Sequence, residues 1–269
     1  MKHKHLVKRM RHFLIYGLVL PLVSSLVMNC SHPEQKDAAV PQPVDTPAQE
    51  TFVEVMQKLT PEDIAALKNY TIACGNQQID LAGPVGEIAA SLEMDSLLYA
   101  TEPLSDCSGI FHRVLKAMNE RCPDHTYPAV EDYRDTRDLA RWYSEQEELI
   151  LIQDALSSED YLKPGAVLFY GQRDSVYTNF GVEELLQPKT GINHMGVVVA
   201  VHKNEAGEVV QYELFHGHGS PGRTPASTTN YHLRVPTRPE YPVFGNGHEQ
   251  WVAFAPIVKL PEKLVTVKQ

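Results

Sequence analysis

The run Asp106-Cys107-Ser108-Gly109-Ile110-Phe111-His112-Arg113-Val114-Leu115-Lys116-Ala117-Met118 combines a helix start with a reactive side chain. Ile110, Phe111, Val114, Leu115 and Met118 recur at helical spacing, which predicts a helix to about Arg121 with one apolar face. Ser105 or Asp106 can serve as its N-cap, so Cys107 falls in the first turn. Unpaired N–H groups and the positive end of the helix macrodipole favour a thiolate there. A small buried cysteine packed at a helix start has the same signature. Both readings stay open on this stretch alone.

Working outward, the chain reads as helices first and strands later. Val85 to Leu92 and Arg134 to about Glu148 carry helical patterns, while Leu149-Ile150-Leu151-Ile152 suits a short buried strand as well as a helix end. Lys163-Pro164-Gly165 is a turn before a strand from Ala166 to Tyr170. His194 to His202 and Val209 to His216 read as strands joined by Asn204-Glu205-Ala206-Gly207, a loop that suits a hairpin with a left-handed last residue. Trp251 to Val258 is expected to close the sheet. The expectation is an α+β fold with the Cys107 helix packed on an antiparallel sheet. The four-residue loop places His216 within about one residue of directly opposite His194. A slip of one residue sends one of the two rings to the other face. Polar residues at strand ends would look the same. A candidate thiol with two neighbouring imidazoles is nevertheless the set that cysteine hydrolysis needs: a base for the thiol proton and a group to hold that base.

The N-terminal residues belong to a different problem. Lys2, Lys4, Lys8, Arg9 and Arg11 precede an apolar run from Phe13 to Met28, interrupted by Pro21. This is the layout of a secretory signal, and it is short of the ~20 residues a spanning helix needs. Leu26-Val27-Met28-Asn29-Cys30 resembles the lipobox of bacterial lipoproteins, with Asn29 in place of the usual small residue. Residues 1–29 are therefore expected to be a lipoprotein signal peptide, Cys30 the lipid attachment site, and the protein a membrane-anchored component of the cell envelope. Residues 30–50 are rich in Pro, Gln and charge and read as a flexible tether, with a reach of about 60 Å at ~3.1 Å per residue. Thr60-Pro61-Glu62-Asp63 looks like a helix start. Removing the five basic residues of the signal leaves 24 − 5 = 19 Lys/Arg against 34 Asp/Glu. So acidic a body excludes a nucleic-acid partner, because phosphate binding needs a basic face. Cys74 and Cys122 either pair outside the cytoplasm or remain two buried thiols.

Four islands carry a family resemblance. Asp106-Cys107-Ser108-Gly109, Leu162-Lys163-Pro164-Gly165-Ala166-Val167-Leu168-Phe169-Tyr170, Asn193-His194-Met195-Gly196-Val197-Val198-Val199 and Glu213-Leu214-Phe215-His216-Gly217 resemble the NlpC family of cell-wall cysteine peptidases. The resemblance spans roughly Gly86 to Val258. It implies a papain-like core in residues 51–269, with an N-terminal helical extension and inserted loops. It also implies a γ-D-glutamyl-diaminopimelate endopeptidase acting on the peptide stems of bacterial peptidoglycan, with no cofactor. Cys107 would be the nucleophile, His194 the base and His216 the residue orienting it, with the N–H groups of Cys107 and Ser108 facing the oxyanion. The chain departs from the family where Leu97-Leu98-Tyr99-Ala100-Thr101-Glu102-Pro103 replaces a Tyr-x-Trp-Gly-Gly stretch; Tyr99 is the candidate for that tyrosine. Pro164-Gly165-Ala166 stands for Pro-Gly-Asp, and residues 172–193 and 217–250 are insertions. The rivals are a peptidoglycan amidase, a thioester acyl transferase, an inactive envelope-binding lipoprotein, and a zinc site on His194, His216 and His218. The zinc reading lacks a carboxylate or cysteine at ligand spacing and leaves Cys107 unexplained. As orienting residue of a peptidase, His216 is expected to matter and His218, lying among glycines, to be dispensable.

Overall fold

Strands open the described chain, where a helical extension is expected. In the computed structural model the described residues are 71–258, Pro236 aside. The signal peptide, Cys30, the tether and the Thr60 helix start lie outside them. β1 (Thr71–Cys74) and β2 (Gln77–Asp80) form a two-stranded antiparallel hairpin, and α1 (Ala82–Met94) follows it. The extension is thus strand and helix, as far as the description reaches. Gly75 at the turn has a left-handed φ of 57°, which glycine adopts at no steric cost. With Ile79 its one apolar residue beside Gln77, Gln78 and Asp80, β2 has little apolar signal to read.

α2 (Cys107–Arg121) begins where the sequence places it. The Asp106 carboxylate accepts from Gly109 N–H at 2.8 Å and caps the helix. Ile110, Phe111, Val114, Leu115 and Met118 are all buried, each worth roughly 1.5–3 kcal/mol relative to exposure. They pack α2 on the sheet and on α1. α3 (Thr136–Glu145) starts two residues later than read, because Asp135 and Asp138 form a capping box there. Cys74 and Cys122 are joined by a disulfide, so the β1–β2 hairpin is tied to the C-terminal end of α2.

The main sheet has six antiparallel strands in the order β3-β8-β4-β5-β6-β7. They are β3 (Ile150–Leu151), β4 (Ala166–Tyr170), β5 (His194–Lys203), β6 (Val209–His216), β7 (Ser227–His232) and β8 (Trp251–Pro256). A short helix, α4 (Val182–Leu185), lies between β4 and β5. Few helices and antiparallel sheets of this kind are compatible with the α+β class. β8 does not close the sheet as an edge: it runs between β3 and β4, and all six of its residues are buried. Its unbroken apolar run, Trp251-Val252-Ala253-Phe254-Ala255, is the mark of a strand covered on both faces. No helix among the described residues is long and apolar enough to cross a membrane.

The β5–β6 hairpin differs from its reading by one residue. Lys203 pairs with Val209, so the connection is Asn204 to Glu208, with Gly207 left-handed at φ 85°. Two irregularities then offset each other. Val210 is the extra residue on β6 and Val199 the extra residue on β5, and the ladder resumes at Val198↔Leu214 and Val197↔Phe215. Continuing that register sets His216 opposite Gly196, two residues from His194. An even offset keeps both rings on one face.

Candidate active site

α2 brings Cys107 to the end of the sheet where β5 begins and β6 ends. The approach is close: a Cβ on Gly217 would stand 3.0 Å from Ile110 Cγ1 and 3.1 Å from the carbonyl oxygen of Asp106. Gly109 is tighter, since its Cβ would meet Leu104 Cα at 2.3 Å. The small residue of the Asp-Cys-Ser-Gly run is therefore there to let the preceding loop cross the helix. Asp106 is fixed from the other side by Arg134, whose guanidinium nitrogens donate to both carboxylate oxygens at 3.0–3.1 Å and to Ser108 Oγ at 2.9 Å. Burial alone would raise its carboxyl, but the bonds from Arg134 and Gly109 N–H outweigh it and hold it below the usual range.

The Cys107 thiol is buried and unpaired. Its sulfur lies 3.4 Å from Thr136 Oγ1, the first residue of α3. Among the described residues it has no hydrogen bond to His194. The expectation of a thiolate is not met at rest. Burial pushes the thiol pKa up, and the Thr136 bond and Ser108 N–H do not outweigh it. Tyr99, on the loop before α2, sits beside this thiol, and its own hydroxyl is pushed up to about 12 by burial and then by Cys107.

His194 and His216 meet. Nε2 of His194 is 2.7 Å from Nδ1 of His216, with both rings buried. Burial lowers His194 to about 4, and His216 falls well below its ordinary value for the same reason. His218 lies in the site, with its ring stacked on His216 at 4.4 Å and its Nε2 2.8 Å from Ser227 Oγ. The three histidines face a polar cleft of about 560 Å³, with Tyr99, Asn246 and Glu249 also on its wall. No family model, curated protein or solved structure matches the chain.

The imidazole nitrogens that touch are spent on one another and on hydroxyls, and no group of three or more metal-ligating side chains converges among the described residues. The arrangement instead sets out a thiol at a helix start, a buried imidazole pair and an open polar cleft. Several contributors escaped the sequence, among them Thr136, Tyr231, Asn246 and Glu249. Thr136 carried a usable signal, because Asp135 and Asp138 mark a helix start beside it. Tyr231, Asn246 and Glu249 come from residues 217–250, read only as an insertion.

Proposed function

We propose that this chain is a cysteine hydrolase with a papain-like core of the NlpC type, cutting peptide stems of bacterial peptidoglycan at the γ-D-glutamyl-diaminopimelate bond. The observation that carries the proposal is the buried 2.7 Å His194–His216 pair on the strands against which the Cys107 helix start is packed. In this reading the resting thiol exchanges its Thr136 partner for the His194 imidazole, which takes the proton as sulfur attacks the scissile carbonyl carbon. The oxyanion forms against the Cys107 and Ser108 N–H groups at the start of α2, with Tyr99 at its side. His194 then gives the proton to the leaving amine. Water, deprotonated by the same imidazole, releases the acyl group and restores the thiol.

The wider assignment follows the same proposal. Cys30 carries lipid, residues 30–50 span the distance from the membrane, and the acidic body works in the cell envelope on a neutral-to-anionic polymer. Purified peptidoglycan incubated with the full chain, followed by mass analysis of the soluble fragments, is the test. The expected product carries a new diaminopimelate amine terminus and is missing with Cys107→Ala. Intact stems freed from glycan would assign an amidase instead, and equal turnover by Cys107→Ala would sink the cysteine mechanism.

A further inference from the structure

Three side chains beyond the histidine pair decide where its protons sit. We infer that Tyr231, Asn246 and Glu249 are positioning residues: a one-way chain of hydrogen bonds from them holds His216 and His194 in the Nε2–H tautomer and leaves the His194 lone pair on Nδ1. Its catalytic meaning rests on the cysteine-hydrolase reading; its geometry does not.

The direction is set at the far end. A carboxylate can only accept, so the amide nitrogen of Asn246 must be the group facing Glu249 Oε2, at 2.6 Å. Reciprocal backbone bonds between Asn246 and Glu249, both 3.0 Å, close a tight turn that keeps the two side chains together. With its nitrogen engaged, Asn246 presents Oδ1 to Tyr231 and accepts the phenol proton at 2.7 Å. The phenol has one proton, so its oxygen can only accept from His216 Nε2, 3.2 Å away. Thr229 Oγ1, at 3.3 Å, is a second acceptor for the same N–H. A neutral imidazole carries one N–H. His216 Nδ1 therefore holds a lone pair and receives the proton of His194 Nε2 at 2.7 Å. What remains on His194 is an unprotonated Nδ1, the form a general base needs.

The chain is braced where it would otherwise swing. The Tyr231 ring stacks on Tyr212 at 5.5 Å, and the Tyr212 hydroxyl bonds Tyr170 Oη at 2.8 Å and the Phe244 carbonyl at 2.7 Å. Rotation of one proton would undo the arrangement. If Asn246 stopped accepting, the Tyr231 hydroxyl would be free to donate to His216 Nε2. His216 would then be protonated at Nδ1 and donate to His194 Nε2. His194 would hold its own proton on Nδ1, and the base would be blocked.

The test reads tautomers and turnover separately on the full chain. Long-range proton–nitrogen spectra of ¹⁵N-labelled wild type at neutral pH are expected to show Nε2–H at both histidines. Asn246→Ala is expected to bring up the Nδ1–H form of His216 and to lower kcat on the order of ten- to a hundredfold, with KM little changed. Asn246→Asp combined with Glu249→Gln exchanges the acceptor and donor ends, keeps an oxygen facing Tyr231 and is expected to restore both readouts. Tyr231→Phe combined with Thr229→Val removes both acceptors and should also make the Nδ1–H form detectable. Wild-type His194 protonated on Nδ1, or Asn246→Ala with unchanged tautomers and kcat, overturns the inference. The spectra decide it even if wild type hydrolyses no peptidoglycan; hydrolysis with an indifferent Asn246 would defeat the relay alone.

Discussion

In the proposed mechanism Cys107 and His194 both start uncharged. Burial pushes the thiol up and brings the imidazole down to about 4, so a thiolate–imidazolium pair is not the resting form at neutral pH. A general base must be neutral to act, and His194 stays neutral far below the ordinary 6.5 of a histidine. The acid limb of kcat/KM is accordingly expected well under pH 6.5; a limb at 6.5 or above in a pH–rate profile contradicts the neutral pair. Stability carries the same sign. Between pH 6.5 and about 4 the unfolded chain binds the proton that folded His194 refuses, so stability is complete above 6.5 and falls on acidification. The loss is roughly 1.4 kcal/mol per pH unit for one such histidine. His216 shifts in the same direction, whereas burial raises Glu249 and so offsets part of the loss at the acid end. Denaturant titrations at several pH values should therefore be flat between pH 7 and about 8, where folded Lys163 begins to titrate, and decline below 6.5.

His216 offers a sharper substitution test at this scale, because it meets His194 through Nδ1 and not Nε2. Asparagine can place its Oδ1 at the same distance from the backbone as Nδ1, while the acceptor of glutamine lies one bond too far. His216→Asn is expected to keep a measurable fraction of kcat, and His216→Gln and His216→Ala to fall together below it. Glutamine outperforming asparagine would mean that the ring engages His194 through its other nitrogen. His218→Ala, which the sequence leaves dispensable, removes the ring stacked on one face of His216.

At the scale of elements, what was legible followed period and capping. The face of α2 shows in Ile110, Phe111, Val114, Leu115 and Met118, and Asp106 caps where a short acceptor should. β4 matches its reading from Ala166 to Tyr170 because a turn opens it and its run is unbroken. The hairpin was legible as a pair of strands but not in register. A four-residue connection would set His216 opposite Met195, on the wrong face. One more residue in the loop, and two irregularities that offset each other, return it to the face of His194. Nothing in Val199 or Val210 announces a bulge, because both are as suited to a regular strand as their neighbours. β7 was missed for the related reason that Ser227-Thr228-Thr229-Asn230-Tyr231-His232 is polar throughout, an edge strand half in solvent. That strand supplies Thr229 and Tyr231, so the orienting chain was hidden with it.

For the molecule as a whole, the sequence leaves two states open for Cys74 and Cys122, and spacing alone has no means to choose between them. The fold chooses by bringing the β1–β2 hairpin against the end of α2, where the Cα atoms stand 5.0 Å apart and the bond closes 48 residues of chain. Loop-closure entropy for that length is worth about 4 kcal/mol as an upper figure. The bond sits just past the C-terminal end of α2, and fifteen helical residues at ~1.5 Å each separate it from Cys107 by about 22 Å. Stability and chemistry should therefore part company when it is removed. Cys74→Ser with Cys122→Ser is expected to lower the midpoint of thermal unfolding by several degrees or more and leave kcat at a permissive temperature within about twofold of wild type. Mild reductant should reproduce the lower midpoint in wild type and leave the double variant unmoved. If kcat instead collapsed in a variant that still unfolds cooperatively, the hairpin would be holding α2, and with it the Cys107 end, in place.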